Sequence, residues 1–425
     1  MAKKMLVTEF KLYGTKDQFK RIDECIRTTQ FIRNKCIRLW INEGAKPKDK
    51  RSKIGKYEFS AQAAVLAEQY YFAAKLNSTG RQAATERAWA SVARFYDNCK
   101  RKTKGKKGFP KFKHNVRSFE LKQSGWLISD DNKKICFGKK KPKDHEIGWL
   151  KLRGGRPLTQ EHIDNTNRVR VVKRATGYFV QFIIDVQNTE YVAPTGKTIG
   201  IDVGLESFYV DSNAEVVENP RHLSKSEKRL KLLQRRVSRK KKRSANRRKA
   251  IARLGRKHFK VSCQRKDFAV KAARCVVKSN DFVAVEDLRV KNMLKNHCLA
   301  KAISDVSWGM FKRYLEYFGA KFGRTIVKVN PSNTSQRCSN CGKLPNKKKT
   351  LDVRVHDCEF CKFNTCRDHN AAINILQLGL STAGHAGIHA WGDLTSTDLH
   401  VSVNQQVESL SQEPLVPIGA GISRL

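Results

Sequence analysis

Acidic residues are the first shortage. The 425-residue chain carries 39 Asp and Glu against 86 Lys and Arg, a formal net charge of +47. A fold this lopsided repels itself unless a polyanion lies beside it. The excess therefore predicts a nucleic acid partner held through many phosphates, and a cationic surface that only aids solubility accounts for it poorly. Long apolar runs are missing as well. No stretch reaches the ~18 consecutive apolar residues of a membrane helix, and the opening MAKKMLVTEFKLYG lacks the apolar core of a secretion signal. No Gly-rich phosphate loop of the P-loop type occurs, and the histidines form no triad arrangement, His369 reading as a helix-surface residue. These shortages predict an intracellular, non-membrane protein that is not a P-loop nucleotide hydrolase. Its 12 cysteines are then free thiols and metal ligands rather than disulfides.

Hydrophobic residues make up 40% of the chain, enough for packed cores, and the length allows two or three domains. Residues 5–13 alternate like a strand. Residues 17–41 bring Phe19, Ile22, Ile26 and Ile32 to helical spacing. Two Ala-rich helices over 60–76 and 81–98 flank LNSTGRQ, which offers a Ser/Thr cap and a glycine. The Gly-, Pro- and Lys-rich stretch 100–114 marks a basic loop and a boundary. Short β-type runs fill 116–187 and predict a small barrel or sandwich that shares the N-terminal strand, with a final hairpin turning at Ala175–Gly177.

Residues 197–217 read as two strands turning near Ser212–Asn213. From Arg221 to Lys260 there are 19 Lys or Arg and one acid, Glu227. Leu223, Leu230, Leu233, Val237, Ile251 and Leu254 give that segment only a thin apolar stripe, so it predicts long helices. A solvated helix face mixes signs; this one does not. Arg235, Arg236, Arg239, Lys240, Lys241, Lys242, Arg243, Arg247 and Arg248 are therefore candidate phosphate contacts, as are Lys111 and Lys113 of the earlier basic loop. A buried strand over 281–288, an amphipathic helix and a strand over 324–330 follow. From about residue 381 the chain is Gly-, Ser- and Thr-rich and nearly free of Lys and Arg, which predicts a disordered tail, 381–425.

Two constellations carry chemistry. Cys338 and Cys341 are separated by 16 residues from Cys358 and Cys361, the spacing of a four-thiolate zinc site. Four thiolates close the tetrahedral shell, so one structural Zn2+ is predicted. Cys366 lies nearby at the wrong spacing, and Lys343 and Lys347 to Lys349 are expected on the ribbon surface. The second constellation is acidic: Asp202 in the apolar IGIDVG, Glu286 ending FVAVE, and Asp368 opening a helix. An acid in an apolar strand is costly unless paired or metal-bound. Two acids on neighbouring parallel strands and a third on a flanking helix can hold two Mg2+ ions for phosphodiester cleavage. Asp368 alone reads equally as an N-cap.

GIDVG, VAVEDL, NTSQRCSNCG and CRDHNAAINI together, with GFPKFK at 108–113, resemble the TnpB family of transposon-encoded nucleases over about residues 1–380. The resemblance implies a multidomain α/β protein built on an RNase H-like (RuvC) nuclease domain, 196–330 and 365–380, with a zinc ribbon inserted at 331–364. It also implies a helical recognition lobe, 16–114, and a β-barrel wedge, 1–15 and 115–190. Asp202, Glu286 and Asp368 match the family's three acids. The implied activity is RNA-guided DNA endonuclease, by a monomer with one guide RNA acting on double-stranded target DNA. The setting would be the prokaryotic cytoplasm, associated with the nucleoid. Ser78 and Gln82 fall where the family reads a short motif beside the target. A miniature type V CRISPR effector, a transposase acting without RNA and a guided repressor without nuclease activity are the rival readings.

Overall fold

The computed structural model describes residues 4–101, 105–138, 146–154, 158–186, 192–350 and 352–386. The chain divides into two compact units, Met1–Gln187 and Asn188–Leu425. Among the described residues no helix is long and apolar enough to cross a membrane.

The first unit begins with β1 (Lys4–Tyr13) and the helices α1 (Lys16–Ala45), α2 (Lys56–Gln69), α3 (Tyr71–Ala74) and α4 (Ser78–Lys100). Thr15 starts α1 with a capping box: its hydroxyl accepts from the Gln18 N–H, and Gln18 Oε1 accepts from the Thr15 N–H. Ile32, Cys36, Ile37 and Trp40 of α1 then pack on Phe59 and Leu66 of α2 and on Ala84, Ala88 and Val92 of α4. The cap of α4 is Asn77, whose side chain accepts from the Thr79 N–H at 2.9 Å. Ser78, Thr79 and Gly80 already lie inside the helix, so the Ser/Thr cap expected from LNSTGRQ is corrected by one residue.

The rest of the unit is β2 (Ser118–Lys122), β3 (Trp126–Ile128), β4 (Lys134–Phe137), β5 (Gly148–Arg153), α5 (Gln160–Asp164), β6 (Thr166–Arg174) and β7 (Gly177–Val186). One antiparallel sheet runs in the order β2-β6-β7-β1-β5-β4-β3, with the N-terminal strand between β7 and β5. The end strands β2 and β3 are separated by only Gln123–Gly125, so the sheet must curl to bring its ends together. The last hairpin turns on Ala175 and Thr176, with Arg174 opposite Gly177.

The second unit holds β8 (Thr198–Asp202), β9 (Ser207–Asp211), β10 (Val216–Glu218), α6 (His222–Ser238), α7 (Ala245–Ser279), β11 (Phe282–Glu286), α8 (Val290–Met293), α9 (Ala300–Val306), α10 (Trp308–Phe322), β12 (Thr325–Val329), β13 (Val355–Asp357), β14 (Asn364–Cys366) and α11 (Arg367–Ala386). Residues 197–217 thus make three strands where two were expected. The break at 203–206 is hidden in the sequence because Val203 and Leu205 still pack on the core. The sheet order is β10-β9-β8-β11-β12; β8, β11 and β12 run parallel, and β9 and β10 antiparallel.

Alternation sorts the sheet's two faces. Ile199, Ile201, Val283 and Val285 join Ala273 and Val277 of α7 and Phe311 and Leu315 of α10 in the core. Gly200 and Ala284 point the other way, under α11. A Cβ on Gly200 would sit 2.2 Å from the Ala372 carbonyl oxygen, so only glycine lets the helix lie this close. On α6, Leu230, Leu233 and Val237 are buried as expected. Leu223 and Leu254 are only half-buried, and Ile251 faces solvent; the fully buried residues of α7 start at Val261. Residues 381–386 of the tail expected from residue 381 are instead the end of α11, which runs to Ala386; residues 387–425 lie outside the described residues.

Candidate active site

Asp202 and Glu286 are the last residues of two adjacent parallel strands. Ile201 pairs with Val285, so the acids end their strands side by side. Two residues after Gly200 and two after Ala284, both acids belong to the face that α11 covers. Asp368 lies in the first turn of that helix, inside it rather than at its cap. The three acids therefore converge from two strands and one helix. Burial pushes the Asp202 carboxyl well above its ordinary value, and Glu286 and Asp368 push it further, against a smaller opposing pull from Arg367. Burial also raises Glu286, while the hydroxyl of Thr334 holds it down by donating to Oε1 at 2.5 Å. Among the described residues the four cysteines are the one group of three or more His, Cys, Asp or Glu placed to hold a metal ion as they stand, their ligand atoms within 4.8 Å of one another. A cluster of hard oxygen donors with too little positive charge nearby is the donor set that a divalent cation completes.

The segment leading from β12 to the cysteines lies along α11. Asn370 accepts from the Ser339 N–H at 2.9 Å and donates to the Arg337 carbonyl at 2.8 Å. Asn374 donates to the Thr334 and Arg337 carbonyls, both at 2.8 Å. Gln377 donates to the Ser339 carbonyl at 3.2 Å. Sequence reasoning missed these residues. Their signal was the spacing i, i+4, i+7 of polar side chains on an apolar helix face. It also misplaced His369, which is half-buried. Nε2 donates to the Ser212 carbonyl, so Nδ1 accepts from the Thr365 hydroxyl, and burial lowers the ring's pKa to favour this neutral form. His369 thereby fastens the start of α11 to the turn after β9.

Cys338, Cys341, Cys358 and Cys361 form the cluster within 4.8 Å. Sγ–Sγ separations of 3.7 Å (Cys338–Cys361) and 3.6 Å (Cys341–Cys358) approach the ~3.8 Å set by four 2.3 Å bonds in a tetrahedron. The two knuckles repeat one geometry. Gly342 N–H returns to the Cys338 carbonyl and Lys362 N–H to the Cys358 carbonyl, and both residues take positive φ, +71° and +58°. Cys366 stays outside on β14, exposed. Lys343 lies over the Phe360 ring, and Lys347 and Lys348 are exposed. Lys349 departs from expectation: it turns inward to His356 Nδ1 at 2.5 Å.

The candidate nucleic-acid contacts lie elsewhere. Ser78 and Gln82 are exposed one turn apart on α4, and Lys122 donates to Gln82 Oε1 at 3.2 Å. Lys122 also lines a cleft with Gln123, Ser124, Asn167 and Arg168. The backbone around Lys111 and Lys113 is fixed to α1 by Arg33 and by a reciprocal pair of hydrogen bonds with Asn34, leaving both lysine side chains exposed. Arg235, Arg236, Arg239, Lys240, Lys241, Lys242, Arg243 and Arg248 are exposed around the α6–α7 turn. Arg247 is half-buried and donates to the Lys240 carbonyl, so it shapes the turn.

Comparison with known proteins decides the family. A protein of Streptomyces pristinaespiralis described as "Putative RNA-guided DNA endonuclease" is 30% identical over 88% of this chain and 89% of its own length. The chain belongs to the TnpB family. Within that family, the Escherichia coli protein described as "Putative RNA-guided DNA endonuclease InsQ" is 27% identical over 77% of this chain and 78% of its own. A family profile described as "Probable transposase" (OrfB_IS605) matches residues 181–297, and one described as "Cas12f1-like, TNB domain" matches residues 308–375. The fold is similar to that of Cas12f1 in a complex with sgRNA and target DNA: TM-score 0.53, 18% identity, 85% of this chain and 83% of that one.

Proposed function

We propose that this TnpB-family chain is a transposon-encoded RNA-guided DNA endonuclease. The observation that carries the reading is the convergence of Asp202, Glu286 and Asp368 at the ends of two parallel strands and the first turn of the helix laid over them. The sheet order β10-β9-β8-β11-β12 supports assigning residues 196–330 and 365–380 to an RNase H-like nuclease domain, with 331–364 a ribbon inserted into it. Residues 16–114 would form the recognition lobe, and 1–15 with 115–190 the wedge.

Two Mg2+ ions fit the three carboxylates, and when bound they supply charge neutralisation at the phosphodiester and an acidified water. The chain's own part is to hold three oxygen-donor side chains at one place; burial raises the Asp202 and Glu286 carboxyls, so it is a bound cation that would favour their ionised forms. A structural Zn2+ fits the four thiolates. Guide RNA and target DNA are the polyanions that the +47 charge calls for, with the α6–α7 turn, Lys111 and Lys113 as phosphate contacts. Ser78, Gln82 and the cleft at Lys122 are where a short target motif would be read. We place the protein in the prokaryotic cytoplasm as a monomer with one RNA. The likeness to Streptomyces and E. coli relatives over most of the chain favours this reading over a CRISPR effector, since two Cas12f1 relatives match over 66 and 109 residues.

The test is to purify the protein with its native locus, sequence the RNA it carries, and offer it matching DNA in Mg2+. One discrete RNA and Mg2+-dependent cutting are expected. Asp368→Ala should keep the RNA and lose cleavage to background. An Asp368→Ala protein that cuts like wild type would sink the nuclease site; a smear of random RNA would sink the guided reading.

A further inference from the structure

Thr334 occupies a singular place. It lies in the segment joining β12 to the four-cysteine ribbon and is 4% exposed. Its hydroxyl has one proton and two acceptors within reach, Glu286 Oε1 at 2.5 Å and the Pro331 carbonyl at 3.3 Å. The nearer, ionisable oxygen makes the stronger bond. Thr334 is in turn held from behind, its carbonyl accepting from Nδ2 of Asn374, a side chain only 2% exposed on the helix that carries Asp368. Glu286, Thr334 and Asn374 thus form a hydrogen-bonded chain from strand β11 to helix α11.

A glutamate at a strand end has three rotatable side-chain bonds, and its neighbours here are like charges that favour swinging it away. Something must hold it in place, and among the described residues Thr334 is the side chain that hydrogen-bonds to it. With Oε1 engaged by Thr334, Oε2 is left to a cation. We propose that Thr334 is a positioning residue of the nuclease site, fixing the Glu286 carboxylate for divalent-cation binding while Asn374 fixes Thr334 to the Asp368 helix. The proposal rests on the reading of the three acids as a cation-binding nuclease site. Groups one step removed from a metal, bonded to its ligands, typically govern affinity by about 10- to 100-fold.

The experiment compares wild type, Thr334→Val and Thr334→Ser, each as its guide-RNA complex. Mn2+ binding is measured by electron paramagnetic resonance without target DNA, beside the Mg2+ dependence of cleavage and the zinc content. Thr334→Val should weaken Mn2+ binding by about 10-fold or more. Its cleavage midpoint should move to higher Mg2+, with cutting largely restored at saturation and zinc retained. Thr334→Ser keeps the hydroxyl and should stay near wild type. Should Thr334→Val also loosen the ribbon, Glu286→Gln with and without Thr334→Val decides. If Thr334 acts through the Glu286 carboxylate, the double variant binds Mn2+ no worse than Glu286→Gln alone; additive losses overturn the proposal. A Thr334→Val complex that binds Mn2+ and cuts with the wild-type midpoint also overturns it, leaving the nuclease reading intact. A wild-type complex that neither binds Mn2+ nor cuts overturns both.

Discussion

Two aspartates one strand apart, Asp202 half-buried and Asp211 buried, illustrate how placement decides what a carboxyl does. Asp202 meets Glu286 and Asp368, like charges that add to the push of burial on its carboxyl. Asp211, 2% exposed at the end of β9, folds back on its own turn, Oδ1 accepting from the Asn213 and Glu215 N–H groups at 2.9 Å. Burial still dominates and pushes its carboxyl from 3.8 to about 6, with Glu215 adding to the push and the two N–H groups opposing it. A carboxyl that holds its proton more tightly folded than unfolded stabilises the fold only while protonated. The contribution is complete below about 3.8 and lost as pH rises through about 6. At pH 8 the charge therefore costs about 3 kcal/mol. Asp211→Asn keeps an oxygen for both N–H groups and removes that charge. Its Tm should exceed that of wild type at pH 8 by several degrees, and the gap should close toward pH 4.5. Melting curves at the two pH values check this; a pH-independent gap would contradict it.

At the scale of elements, the ribbon is too small to fold by itself. Its two strands, β13 and β14, have three residues each, and the other described residues of 331–366 make turns and knuckles. Metal binding in such a module is folding free energy, about 10–16 kcal/mol for structural zinc. Without a metal, burial pushes the Cys338 thiol up to about 12, so the thiolate that zinc requires is disfavoured until the ion arrives. Because Asn370, Asn374 and Gln377 of α11 bind the backbone of 334–339, closing the ribbon also seats the helix that carries Asp368. Cys358→Ser should lose about one zinc per chain by atomic absorption and lose DNA cleavage, yet still copurify with RNA. A zinc-free variant that cuts normally would separate the ribbon from the acids. The cysteine pairs and the three acids were legible in the sequence because spacing, apolar strand context and helix period are local signals. The clasp was not, since Asn370 and Asn374 find partners more than thirty residues away, through a chain path that only the fold defines. Lys349 and His369 were misjudged for the same reason: each looks like a surface residue until its distant or cross-turn partner is known.

At the scale of the molecule, the charge excess is the dominant fact. Among the described residues most cations on α6 and α7 find no acid: Glu227 pairs with Lys231 and with Lys301 of α9, Asp267 with Lys271, and the turn between the helices has no acid in its sequence. Lys240, Lys241, Lys242 and Arg243 of that turn are exposed, and the turn is shaped by backbone and Ser244 contacts rather than by their side chains. Replacing all four with Gln should leave Tm nearly unchanged. If they bind phosphates, each cation–phosphate pair removed lowers the slope of log affinity against log salt by about 0.7 to 0.9. The slope should therefore fall by up to about 3 for single-stranded RNA and up to about 3.6 for duplex DNA, and the variant's binding deficit should shrink as salt rises. Filter-binding titrations from low to moderate salt measure this directly. A deficit that persists unchanged at high salt would mean the four residues act through shape or base contacts, and an unchanged slope would remove the α6–α7 turn from the nucleic-acid surface.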